Sequence, residues 1–170
     1  MHIEHMIITN LIFNQEYFKK VYAFIDEAYF HDKKENIVFK EISAYNKKYS
    51  KAPNSDILNI VISNRTDLNE KEYKDIKDYI ASIIQPEKVE LEWLIDETEK
   101  FCREKSIYNV IAKSVSYIDS EDKLKISSIP KLLNEALSVS FDKTVGHDYI
   151  ENAEERFKSY NEVKEYATTD

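Results

Sequence analysis

The longest regular pattern of apolar positions covers residues 89–118 and predicts one long helix. Apolar or small residues recur there at intervals of three, four and seven, with a break at Lys105; they are Leu91, Leu94, Thr98, Phe101, Tyr108, Ala112 and Val115. These intervals mark the a and d positions of a heptad repeat. At 1.5 Å per residue the helix would be about 45 Å long, more than a small domain needs across its core. We therefore expect part of it to project or to contact another chain.

Shorter apolar patterns precede the long helix and predict a compact helical head over residues 1–86. The clearest helix start is Asn69 followed three residues later by Glu72, which approximates a capping box. Pro86 follows the helix that starts there and should end it. The head is predicted to contain five helices and one short turn. In chain order they are a helix at residues 3–13, a helix capped by Asn14, the turn at 27–30, a helix at residues 35–49, a helix through Ile57, Ile60 and Val61 capped by Asn54 or Ser55, and the helix capped by Asn69.

A polar stretch at residues 119–123 predicts the tip of a helical hairpin that spans residues 87–141. The return helix is predicted to begin around Pro130, because proline is tolerated in a first turn. This return helix is shorter than its partner, so apolar surface on the long helix should stay uncovered and form an interface. The predicted subunit-interface residues are Trp93, Leu94, Phe101, Ile107, Tyr108, Val110, Leu133 and Leu137.

The chain changes character after Phe141. Residues 142–147 include the single glycine, Gly146, and are predicted to form a connector. Beyond it, Ile150, Ala153, Phe157 and Tyr160 recur at intervals of three, four and three on an otherwise polar and acidic segment. A lone amphipathic helix of this length is marginal in water and needs a surface to dock on. Residues 142–170 are therefore predicted to be a connector and a linker helix.

Composition supports an all-α fold and excludes several kinds of chemistry. The 170 residues include 42% hydrophobic positions but only 1 Gly and 3 Pro. Sheets with tight hairpin turns need positive-φ positions repeatedly, and glycine supplies most of them. A P-loop, a dinucleotide-binding fingerprint and a nucleophile elbow each need at least two glycines. The chain as given therefore cannot bind a nucleotide by those routes.

The net charge of −8 argues against a broad surface for nucleic-acid phosphates. Lysine pairs such as Lys47 and Lys48 are interpreted as solvated helix faces. The lone Cys102 rules out a disulfide framework within the chain and fits a reducing cytosol. The sequence has no pattern typical of a signal peptide or a transmembrane helix, so no membrane role is expected.

Candidate catalytic residues are few. His2 and His5 lie near the start of the chain, and His147 precedes Asp148. A His-Asp pair occurs in metal-dependent phosphohydrolases, but that class needs further spaced ligands, and the one remaining histidine is His31. No catalytic, cofactor or metal residue is predicted. Two alternatives stay open: a small metal-dependent HD-type hydrolase built on His147 and Asp148, and a free-standing helical regulator.

Several segments carry a resemblance to a known family. They are residues 10–18 (NLIFNQEYF), 24–30 (FIDEAYF), 93–94 (WL), 97–101 (ETEKF), 136–142 (ALSVSFD), 145–149 (VGHDY), 154–157 (EERF) and 159–160 (SY). In this order they resemble the N-terminal region of the replicative DnaB-like hexameric DNA helicases of T4-like bacteriophages. The resemblance is collinear and covers nearly the whole chain.

The resemblance implies a non-catalytic assembly and partner-docking domain. In this family the helical head and the hairpin form a collar on the hexamer, and a linker helix docks on the motor domain of the neighbouring subunit. Ile150, Phe157 and Tyr160 would be the docking residues of that helix here. The collar meets the primase and, in some systems, a helicase loader.

The resemblance also implies where the helicase chemistry lies. The motor domain carries the ATP and Mg²⁺ site and unwinds DNA with 5′→3′ polarity. It would follow Asp170, so no ATPase residue, cofactor or principal DNA contact is expected in this chain. The expected location is the cytoplasm of the bacterial host.

Overall fold

The structure, a computed structural model, describes residues 2–120 and 122–141 of the chain. Every regular element in these ranges is helical, so the prediction of an all-α fold is confirmed. The α-helices are α1 (Ile3–Phe13), α2 (Gln15–Val21), α3 (Lys33–Tyr49), α4 (Ser55–Ser63), α5 (Glu70–Ser82), α6 (Leu91–Asp119) and α7 (Lys123–Leu137). Short 3-10 helices occur at Tyr22–Phe24 and Glu27–Tyr29. The described residues up to Val139 belong to one compact unit.

Asparagine side chains start three of the helices, as the sequence predicted. Asn14 Oδ1 accepts a hydrogen bond from the Tyr17 amide at 3.0 Å, at the start of α2. Asn54 Oδ1, rather than Ser55, caps α4. Asn69 forms a full capping box with Glu72 at the start of α5. Each cap satisfies an amide that has no partner within its own helix.

The core of the head is built around α1. Its consecutive residues Ile7 to Leu11 are all buried, as expected for a helix covered on all sides. Helices α2, α3 and α6 pack against α1, and α4 and α5 pack against each other and against α3. Phe30 joins these layers, since its ring centre lies 4.9 Å from that of Phe39 on α3 and 5.8 Å from that of Phe101 on α6.

The buried face of α4 differs from the predicted one. The structure buries Leu58 and Ile62, whereas Ile60 is 63% exposed. Five of the nine residues from Ser55 to Ser63 are Ile, Leu or Val, in a run interrupted only by Asn59, so periodicity could not select a face. Packing against α3 and α5 made that choice.

The start of α7 also corrects the prediction. The helix begins at Lys123, and Pro130 lies inside it rather than at its first turn. Asp122 caps α7, because its Oδ1 accepts hydrogen bonds from the amides of Leu124 and Lys125 at 3.1 and 3.2 Å. The cap and the packing of α7 on α6 offset the backbone hydrogen bond that Pro130 cannot donate.

Candidate subunit interface on the long helix

The first half of α6 belongs to the core of the head. Leu94, Thr98, Phe101 and Cys102 are all buried. Thr98 Oγ1 donates a hydrogen bond to the Leu94 carbonyl at 2.6 Å, so it accepts one from the Tyr17 hydroxyl, also at 2.6 Å. Burial raises the pKa of Tyr17, which keeps this hydroxyl protonated as the donor. A buried polar pair therefore joins α2 to α6.

Lys105, the residue that interrupts the heptad pattern, makes contacts with the head. Its Nζ lies 3.2 Å from Glu4 Oε1 on α1 and 5.5 Å from the centre of the Phe101 ring. One turn further along α6, Asn109 Nδ2 donates to the Ala28 carbonyl at 2.8 Å, and Asn109 Oδ1 lies 2.9 Å from His31 Nε2. The polar break in the stripe thus contacts polar groups of the head.

A cluster of ionisable groups lies beside this contact. Glu35 on α3 is half-buried, and burial together with the nearby carboxylates of Asp32 and Glu4 raises its pKa to about 7. Lys34 and Lys105 partly oppose that shift. The Tyr79 hydroxyl, whose pKa burial raises, is buried without a hydrogen-bond partner among the described residues. We therefore expect the stability of the head to depend on pH near neutrality through Glu35.

The second half of α6 carries an exposed apolar stripe. Tyr108, Ile111, Val115 and Ile118 are 60%, 54%, 54% and 57% exposed. Their intervals of three, four and three place them on one face of the helix. We call these four residues the distal stripe. Four large apolar side chains aligned on one face and open to solvent are typical of an interaction surface.

Helix α7 packs on a different face of α6. Arg103 Nε donates to the Val139 carbonyl just beyond α7 at 3.0 Å, and the same guanidinium pairs with Glu99 one turn earlier. At 3.6 residues per turn, Arg103 lies roughly 100° around the α6 axis from the centre of the distal stripe. The exposure of all four side chains shows that α7 leaves the distal stripe open.

The structure distributes the predicted interface residues over three environments. Trp93, Tyr108 and Leu137 are largely exposed, and Ile107, Val110 and Leu133 are partly buried. Leu94 and Phe101 lie inside the core of the head, because α1 and α2 cover the first half of α6. These two residues are not available to a second subunit and drop out of the candidate interface.

Three residues of the distal stripe were missing from the predicted interface, Ile111, Val115 and Ile118. The sequence did contain a signal for them, since the intervals from Tyr108 through Val115 to Ile118 continue a regular helical face. A heptad pattern does not show which face of the helix the rest of the chain covers. Which face of α6 stays exposed depended on where α7 packs.

The described residues offer no cluster of His, Cys, Asp and Glu side chains that could hold a metal ion. Burial raises the pKa of the Cys102 thiol to about 12, so this thiol stays protonated and is not a reactive nucleophile. No helix among the described residues is both long enough and apolar enough to cross a membrane. His147 and Asp148 of the hydrolase alternative, and the linker residues Ile150, Phe157 and Tyr160, lie outside the described residues.

No known family model matches the chain. Over 165 residues, however, it is 32% identical to the DnaB-like replicative helicase of Enterobacteria phage T4. The chain is homologous to this helicase. The similarity covers 91% of the chain and 34% of the helicase, and the resemblance inferred from the sequence motifs is thereby confirmed. The chain spans about a third of the length of this relative.

Proposed function

We propose that this chain is a non-catalytic assembly and partner-docking domain of a phage replicative helicase, and that its copies associate through the distal stripe. The observation that carries the proposal is the row of Tyr108, Ile111, Val115 and Ile118 left exposed by the rest of the described chain. Burying such side chains against a second copy removes apolar surface from water, at about 25 cal/mol per Å². Two copies of one stripe can meet in a symmetric contact.

The homology to a DnaB-like replicative helicase supports the wider setting of the proposal. In this setting the parent protein is an ATP-dependent 5′→3′ DNA helicase that works as a hexamer. ATP, Mg²⁺ and the main DNA contacts would belong to the two thirds of the relative's length that this chain does not match. A primase and a helicase loader would be the docking partners of the assembled domains.

The test compares two variants that place a charge on an exposed isoleucine. Ile111→Glu alters the distal stripe, and Ile60→Glu alters α4 at a position of similar exposure. Light scattering coupled to size exclusion, at about 50 µM protein, should show more than one chain per particle for the wild type and for Ile60→Glu. Ile111→Glu should shift the particle towards the monomer, because a buried unpaired carboxylate is costly.

Three outcomes would count against the proposal. They are a wild-type monomer at this concentration, an oligomer that survives Ile111→Glu, and equal loss of the oligomer in both variants. Circular dichroism at 222 nm should be the same for all three proteins, since neither isoleucine lies in the core.

A further inference from the structure

The carboxyl end of α3 is basic and aromatic in a chain that is acidic overall. Residues 42–55 contain three lysines, Lys47, Lys48 and Lys51, and no Asp or Glu. In the whole chain, Asp and Glu number 32 against 24 Lys and Arg. We call Tyr45, Tyr49 and these three lysines the α3 patch. Its local charge is opposite to that of the protein.

The positive charge of the α3 patch is not neutralised by the rest of the described chain. Lysines elsewhere in the head form ion pairs, for example Lys20 with Glu92 and Lys40 with Glu27. Lys47, Lys48 and Lys51 are exposed, and none of them has a carboxylate within ion-pair distance among the described residues. The preceding acid in the sequence, Glu41, is paired with Arg65 at 2.8 Å.

Two tyrosines form an aromatic surface beside these lysines. Tyr45 and Tyr49 lie one turn apart on α3, and their ring centres are 4.5 Å apart with an angle of 41° between the planes. Tyr49 is 49% exposed, and Lys48 Nζ lies 5.2 Å from the centre of its ring. The helix ends directly afterwards, because Ser50 adopts the left-handed conformation with φ 56° and ψ 30°. The exposed ring and the lysines without a carboxylate partner among the described residues therefore lie together at and just beyond the end of α3.

Helix capping explains only part of this arrangement. Lysines in the last turn of a helix interact favourably with its carbonyl end, which accounts for Lys47 and Lys48. It does not account for Lys51, which follows the helix, or for a half-exposed tyrosine packed against a second one. Exposed aromatic rings beside unpaired cations are what proteins use to stack bases and bind phosphates of unpaired strands.

We propose that the α3 patch binds single-stranded nucleic acid, with Lys47, Lys48 and Lys51 on phosphates and Tyr49 stacked on a base. A strand supplies both the negative charge and the flat apolar faces that the patch can accommodate. An acidic protein segment would use the charge alone. The proposal concerns a surface separate from the distal stripe, and it does not depend on assembly of the chain.

The experiment measures binding of a fluorescent oligothymidine of about 15 nucleotides to the 170-residue chain by anisotropy. At about 50 mM salt we expect a dissociation constant in the range of roughly 1 to 100 µM. Replacing Lys47, Lys48 and Lys51 together by Ala should weaken binding at least about tenfold, and should lower the slope of log K against log salt by about 2. Tyr49→Ala should weaken binding about fivefold or more, whereas Tyr49→Phe should bind as the wild type does.

The matched control replaces three exposed lysines outside the patch, Lys19, Lys71 and Lys74, by Ala. It removes the same net charge and should change the affinity less than about twofold if the patch is the site.

Equal losses in both triple variants, or no binding by the wild type, would overturn the proposal. A third result would also overturn it: oligoglutamate competes as strongly as unlabelled oligothymidine, and Tyr49→Ala has no effect. That combination would indicate an acidic protein partner instead of a nucleic acid. The light-scattering mass should be the same for all these variants, so failure here is separable from failure of the assembly proposal.

Discussion

The Tyr17 hydroxyl and Thr98 Oγ1 lie 2.6 Å apart in the core and form a buried hydrogen bond between α2 and α6. Both residues are fully buried, and Thr98 also donates to the Leu94 carbonyl. The long helix is thus joined to the head by a polar pair whose members have no access to water. Such a pair is costly to break on one side only.

Thr98→Val should lower the free energy of unfolding by about 1–3 kcal/mol, because it leaves the Tyr17 hydroxyl buried without its partner. Tyr17→Phe should cost less, about 1 kcal/mol, since the Thr98 hydroxyl keeps its bond to the Leu94 carbonyl. The double variant should be more stable than Thr98→Val alone, because the unsatisfied hydroxyl is then gone. Urea denaturation of the three variants measures this coupling, and strictly additive costs would show that the two hydroxyls do not act as a pair.

The pH dependence of stability should carry a contribution from Glu35. Its pKa is raised from 4.5 to about 7 in the folded protein, so the folded state binds this proton more tightly than the unfolded state. The contribution is therefore favourable below the unfolded pKa and is lost as the pH rises from about 4.5 to about 7. Because Glu35 is about half exposed and screened by solvent, we expect roughly 1 kcal/mol rather than the full linkage value.

Glu35→Gln removes the titrating group and should flatten that part of the profile. Urea midpoints between pH 4.5 and 7.5 should decline less steeply for this variant than for the wild type. Glu87→Gln, at an exposed position between α5 and α6, is the control and should leave the profile unchanged. Parallel profiles for wild type and Glu35→Gln would assign the pH dependence to other groups of the cluster.

Pro130 should be a destabilising residue within α7. It cannot donate the backbone hydrogen bond that a residue at this position of a helix normally makes, and its side chain is exposed. Pro130→Ala should raise the free energy of unfolding by about 1–2 kcal/mol, part of the gain being lost to the greater freedom of the unfolded chain. Lys131→Ala is the neighbouring control. A loss of stability in Pro130→Ala would mean that the proline shapes α7 to fit α6.

The capping box at the start of α5 should contribute measurably to stability. Asn69 Oδ1 accepts from the Glu72 amide at 2.9 Å, and Glu72 Oε2 accepts from the Asn69 amide at 3.2 Å. Asn69→Ala should cost about 1 kcal/mol, which corresponds to a fall of roughly 2–4 °C in the melting temperature of a domain of this size. Asn69→Asp keeps an acceptor at the cap and should melt close to the wild type. Equal losses in both variants would indicate that Asn69 acts through another contact.

The sequence by itself determined the features that depend on neighbouring residues. The bounds of α1, the asparagine caps at Asn14, Asn54 and Asn69, and the long helical run of α6 are local, because they rest on hydrogen bonds and periodicities within a few residues. The near absence of glycine correctly indicated an all-α fold. The collinear motifs correctly indicated homology to a replicative helicase.

Only the tertiary structure decided which faces are covered. Periodicity places Leu94, Phe101 and Tyr108 on one stripe, but α1 and α2 bury the first two, whereas Tyr108 remains exposed. The same holds for α4, where a nearly continuous apolar run left the choice of Leu58 and Ile62 over Ile60 to packing. The start of α7 depended on the balance between Pro130 and the packing of that helix on α6. Burial is a property of what lies opposite a residue, and that partner is distant in the sequence.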